Sequence, residues 1–173
     1  MVIPKLQLDG MTTIGASSEE SLAQESTLHV LFNNASVTVQ DYELHIGIKN
    51  LGHFLFTNFP IPPLKRTAQL SPSNIVGVVW VSSSAADGAP HPAIVLSNMN
   101  HHNEESMRAK YARSKAGNVI HCCEYALKTS GSGIALYPAD FVTNLQQNMP
   151  KAQLAKSDLE DPALANRFPT HPL

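Results

Sequence analysis

The sequence predicts an α+β chain, mostly β: an antiparallel barrel or sandwich with two or three peripheral helices. Two observations carry this expectation. Residues 75–97, IVGVVWVSSSAADGAPHPAIVLS, hold two apolar runs, Ile75–Val81 and Ala93–Leu96, around a loop of Ser, Ala, Asp, Gly and Pro. Both runs are rich in β-branched residues and of strand length. Further strand patterns follow one another without helical patterns between them, which favours a barrel or sandwich over a parallel sheet. The first run is apolar at nearly every position, as expected of a strand buried on both faces. Trp80, the only Trp, is expected to anchor the core there.

Taken in order, residues 1–16 read as extended and irregular. Ser17–Glu25 can form a short helix, with Ser17 and Glu20 at capping-box spacing. Thr27–Phe32 reads as a strand, and Asn33-Asn34 as a turn, because Asn tolerates left-handed backbone. From Ser36, Val37 and Val39 alternate with polar residues. Tyr42, Leu44, Ile46 and Ile48 then do the same after a change of parity at Gln40-Asp41, which suggests a bulge or a turn. HFLFTNF, residues 53–59, reads as the next strand. Residues 60–74 read as an irregular connection, since Pro60, Pro62 and Pro63 stop regular pairing.

After the central pair, Asn103 can cap a helix that carries Glu104 and Glu105 in its first turn, Lys110, Arg113 and Lys115 later, and Gly117 as its terminator. Met107 and Tyr111, four apart, give it an apolar side. Asn118–Lys128 fits either a strand or a strand-to-helix transition. Ile134–Tyr137 reads as a short strand, and PADFVTNLQQN, from Pro138, as a helix with Phe141, Val142 and Leu145 as its stripe. The expected domain is 1–149. Residues 150–173 then form a Pro-rich arm packed on that domain or on a neighbouring subunit.

Composition narrows the function. A net charge of -2 argues against a nucleic-acid partner, because neutralising phosphates needs a basic excess. Charged residues make up only 15%, which suits surfaces that meet other surfaces. No basic segment followed by an apolar run opens the chain, and no stretch reaches the ~18 apolar residues of a membrane span. Cys122 and Cys123 are adjacent, so their side chains diverge and no disulfide framework exists. A cytoplasmic location is therefore expected, and the sequon at Asn34 is read as chance.

Three constellations bear on chemistry. His91 opens HPAIVLS, His101 and His102 follow it, and Cys122-Cys123-Glu124-Tyr125 comes later. A thiol nucleophile needs an imidazole to take its proton and a polar group to orient that imidazole. This order resembles circularly permuted NlpC/P60 thiol enzymes, the group that includes lecithin-retinol-acyltransferase-like proteins. The resemblance implies Cys123 as nucleophile, His91 as base and His101 or His102 as the orienting group, with Cys122 beside them. The alternative is buried cysteines and surface histidines. GVVWVSSSAADGAPHPAIVLSN is also similar to the opening of MazF/PemK ribonuclease toxins, with His91 in place of their arginine. Finally, His101, His102, Glu104, Glu105, His121, Cys122, Cys123 and Glu124 are metal-ligand types, but no zinc spacing is present, and capping explains the helix-start residues as well.

The leading expectation is a non-catalytic structural or binding protein that self-associates, an assembly-type subunit without cofactor or metal. Its Pro-rich end would lie in the subunit contacts, with Leu159, Leu164, Phe168 and Leu173 as docking residues. A thiol hydrolase or acyltransferase and a toxin-type ribonuclease are the alternatives.

Overall fold

The computed structural model describes residues 11–35, 46–99, 105–129 and 131–138. The described elements alternate. Helix α1 (Met11–Gln24) precedes strand β1 (Val30–Asn33). A π-helical segment, Gly47–Gly52, then runs directly into α2 (His53–Asn58), and α3 (Ile61–Leu70) follows. Strand β2 (Gly77–Val81) leads into two short 3-10 turns, Ser84–Gly88 and Leu96–Asn98. The long helix α4 (Met107–Thr129) and strand β3 (Ser132–Leu136) complete the order.

The three strands form one sheet in the order β1-β2-β3, and both pairings are parallel, with Val30 beside Gly77 and Gly77 beside Ser132. Parallel neighbours need a crossover, and helices supply both crossovers here. The expected antiparallel barrel or sandwich is therefore wrong. The sheet is parallel with helices between its strands, an α/β arrangement.

The physical reason for the error lies in segment 46–70. HFLFTNF alternates Phe54 and Phe56 with other residues and so imitates a strand. In the structure it is helical: Leu55, Phe56 and Phe59 pack on Ile14 and Ile48, while Phe54 stacks on His121 with ring centroids 5.4 Å apart. Ile46 and Ile48, expected on a strand, belong to the same helical stretch. The prolines that seemed to forbid structure open α3 instead, since a first-turn Pro gives up no helical hydrogen bond. Ala93–Leu96 is no strand either. It passes through a bend into the second 3-10 turn.

Other expectations hold. The strands at β1, β2 and β3 lie where the apolar runs placed them, whereas the helix expected over Ser17–Glu25 ends at Gln24 and starts at Met11, inside a stretch expected to be irregular. Asn74 takes a left-handed φ of 65° just before β2. Trp80 is a core residue, 2% exposed, packed with Leu64, Val78 and Cys122 and with its ring 5.2 Å from that of Tyr125. Residues 36–45, 101–104 and 139–173, which carry the Asn103 cap, the Pro138 helix beyond its first residue and the 150–173 arm, lie outside the described residues.

α4 does not stop at Gly117. Ser106 caps it instead, its hydroxyl accepting from the Ala109 N–H at 3.2 Å, and it continues through Asn118–Lys128. Gly117 serves a close approach. A Cβ there would lie 1.7 Å from Asn50 Oδ1, so the residue is glycine to let the π-helical segment dock on α4.

Candidate active site

The carboxyl end of β2 is where the described elements converge. Its last carbonyl, on Val81, accepts from Lys115 Nζ at 3.0 Å and Asn118 Nδ2 at 2.8 Å. The next residue, Ser82, is buried and donates its hydroxyl to the Lys115 carbonyl at 2.8 Å. These three bonds lash the middle of α4 to the strand. From the other side, Asn50 Nδ2 donates to the Ser114 carbonyl at 3.1 Å. Ser83 Oγ accepts from the Ala85 N–H and shapes the turn above the strand.

Tyr111 stands in this junction. Tyr111 and Lys115 are four residues apart and share one helix face. Lys115 Nζ is 5.8 Å from the Tyr111 ring centroid, and Lys49 Nζ, from the π-helical segment, is 4.9 Å from it. Both ammonium groups are buried, Lys49 to 2% exposure and Lys115 to 8%. Burial, then the charge of Lys115, lowers the pKa of Lys49 to about 7, and burial lowers that of Lys115. His53, one turn beyond Lys49, is pushed down to about 4, mainly by burial. The nearby Lys49 carbonyl offsets part of that shift, yet neither ring nitrogen makes a hydrogen bond of normal geometry. Asn50 Oδ1 and Asn118 Oδ1 are likewise buried without a partner. A half-buried phenol between two buried amines is a site for moving protons at a substrate oxygen.

On the opposite face of α4, Arg113 does a structural job. It grips Glu105 with two nitrogens at 2.8 Å and donates to the carbonyls of Pro90, Pro92 and Ala93. A small open pocket beside it, lined by Ile46, Ala93, Ile94, Val95 and Met99, is away from Tyr111.

The residues singled out from the sequence do not form this site. His91 is exposed in the bend after the first 3-10 turn. His101 and His102 lie outside the described residues. Cys122 is buried against the sheet, its sulfur near Gly133, and burial raises its pKa, the reverse of an activated thiol. Cys123 is exposed in the C-terminal half of α4 rather than at a helix start. Tyr111, Lys115, Asn50 and Lys49 were missed. The signal available was the four-residue spacing of Tyr111 and Lys115, which the sequence reading divides between an apolar side and the basic residues late in the helix.

The chain is similar to short-chain dehydrogenase/reductases. It is 47% identical over 157 residues to one from Emericella nidulans, an alignment that covers 83% of this chain and 50% of that protein. It is 35% identical over 158 residues to another from Phomopsis amygdali, covering 84% and 47%. Retinol dehydrogenase 11 of Homo sapiens is 34% identical over 149 residues, covering 79% and 42%. The chain thus spans about half the length of the curated relatives it matches. No family model matches it. Among solved structures, the KRED1-Pglu enzyme superposes with a TM-score of 0.65 at 15% identity, covering 94% of this chain and 66% of that one. An uncharacterized protein from Mycobacterium paratuberculosis does so with a TM-score of 0.58 at 26% identity, covering 82% and 52%. The three curated relatives are oxidoreductases by name. They overturn the expectation of a non-catalytic assembly subunit, and with it the thiol-hydrolase and ribonuclease alternatives.

Dehydrogenases of α/β type hold a dinucleotide's pyrophosphate on backbone N–H groups at a glycine-rich strand-to-helix turn. The described strand ends offer no such cradle: β1 leads into Asn34-Ala35, β2 into Ser82-Ser83 and β3 into Tyr137-Pro138. The described residues fit the proton-handling end of a redox site and not the pyrophosphate. Among them, no helix is long and apolar enough to cross a membrane.

Proposed function

We propose that this chain carries the proton-transfer part of a short-chain dehydrogenase/reductase site that interconverts a carbonyl and an alcohol. The observation that supports it is Tyr111, held at the carboxyl end of a central parallel strand between two buried amines. The hydride of such a reaction belongs to a nicotinamide cofactor, and the proton belongs to the protein. In reduction, Tyr111 Oη donates its proton to the substrate oxygen as the carbonyl carbon becomes an alcohol carbon. In oxidation the same atom takes the proton back. Lys115 stabilises the phenolate left behind and is itself aimed by the Val81 carbonyl. Ser82 and Asn118 keep the helix bearing both residues in register with the strand. A cytoplasmic location is part of this proposal, in keeping with two free cysteines.

The test is oxidation of NADH or NADPH against a panel of aldehydes and ketones, all-trans-retinal among them. Tyr111→Phe keeps the ring and removes the proton. It is expected to lower kcat by about 10²–10⁴ with little change in KM. Turnover by Tyr111→Phe at the wild-type rate overturns the assignment.

A further inference from the structure

The site contains one more charged group than a phenol and a single amine require. Lys49 lies on the π-helical segment, and its ammonium, at 4.9 Å, is closer to the Tyr111 ring centroid than that of Lys115 at 5.8 Å. The described ion pairs, Arg113 with Glu105 and Lys128 with Glu124, involve neither lysine. Two ammonium groups buried around one ring without a described carboxylate are a costly arrangement for folding alone. Their charge is offset when negative charge forms between them, and the phenol oxygen is where the proposed reaction forms it.

We propose that Lys49 is a positioning residue for Tyr111, its ammonium orienting the ring through its face and stabilising the negative charge that builds on the phenol as its proton leaves. This inference rests on the reading of Tyr111 as the proton donor. The groups facing Lys49 are His53 from α2 and Tyr111 and Lys115 from α4, and His121 from α4 lies near His53. Burial pushes both histidines below the usual histidine range, which leaves Lys115 and, below about pH 7, Lys49 as the local cations. Lys49 gives up its proton near pH 7, earlier than any exposed lysine would, so its support for the phenolate fades as the pH rises through that point. The π-helical winding of Gly47–Gly52 puts Lys49 and Asn50 side by side on α4, one over the ring and one on the helix backbone.

The experiment compares wild type, Lys49→Met and Lys49→Arg in the complete enzyme. Lys49→Met is expected to lower kcat roughly tenfold or more at pH 6 with KM little changed, and Lys49→Arg to recover most of it. The wild-type rate of reduction is expected to fall above about pH 7, and Lys49→Arg, whose charge does not titrate, to lose that limb. Wild-type kcat in Lys49→Met, or an unchanged pH limb in Lys49→Arg, overturns the inference. A second reading needs no turnover: NMR of the lysine ε-methylene should show Lys49 titrating near pH 7. An ordinary lysine titration overturns the inference even if Tyr111 proves essential. If wild type reduces no carbonyl, the reaction proposed for Tyr111 is wrong and the role of Lys49 falls with it.

Discussion

Lys49 links the chemistry of the site to the stability of the fold. Its pKa falls from 10.5 to about 7 on folding, so between those values the unfolded chain binds more protons than the native one. Stability therefore rises with pH across that window and is lower by a constant amount below it. His53 acts in the same sense at lower pH, between about 4 and 6.5, and the lowered pKa of Lys115 adds to the upper window. Urea midpoints are expected to keep climbing from pH 7 towards pH 9, a window in which paired carboxylates, already ionised in both states, contribute no slope. Lys49→Met should flatten the part above pH 7 and raise stability at neutral pH, on the order of 1–4 kcal/mol, because a buried charge is replaced by a packed apolar chain. A wild-type midpoint that is level or falling from pH 7 to 9 refutes this. Little of this was legible in the sequence. Lys49 sits in a polar-apolar alternation that looked like a strand with the lysine facing water.

At the scale of elements, α4 is fastened by different devices on its two faces. One face is tied to β2 through Ser82, Lys115 and Asn118. The other is tied to the 90–93 bend through the fork of Arg113. Glu105, 20% exposed, has that guanidinium as its ion-pair partner. Arg113→Met should cost about 3–5 kcal/mol, because it removes a partly buried ion pair and the donor to three carbonyls at once, and Arg113→Lys should recover only part, since an ammonium cannot make the fork. Thermal unfolding checks this, and a loss below about 0.5 kcal/mol would refute it. That a helix lies here was legible from its polar onset and its basic residues, but its start was not: Ser106 caps it, and Glu105, expected in its first turn, lies before it. Nor was its length. Gly117 looked like a terminator because glycine usually marks a helix end, whereas here Asn50, 67 positions upstream, occupies the space a side chain would need. That is a tertiary reason, and no local pattern contains it. HFLFTNF failed for a related cause: its period-two aromatics are satisfied as a helix by α1 on one side and His121 on the other.

At the scale of the whole molecule, the topology explains both the best and the worst of the sequence reading. The continuous apolar run at β2 signals a strand between two parallel neighbours, and it is one, with Val78, Val79 and Trp80 all buried. The three described strands pair in an open order, with β1 and β3 at its two sides. Among the described residues β1 pairs only with β2, and on it Val30 is 42% and Phe32 61% exposed. An edge of this kind, unpaired on one side among the described residues and carrying large apolar side chains, is a template for another strand. The self-association expected from the C-terminal arm is therefore better sought at β1. Light scattering across a concentration series is expected to show this 173-residue chain associating. Phe32→Lys, which sets like charges against each other across any seam formed by two such edges, should weaken that association about tenfold or more, the equivalent of about 1.4 kcal/mol. The substitution lies on an exposed position, so the fold should be unaffected, which circular dichroism will report. A chain that is monomeric throughout, or one whose association is indifferent to Phe32→Lys, would place the unsatisfied surface elsewhere.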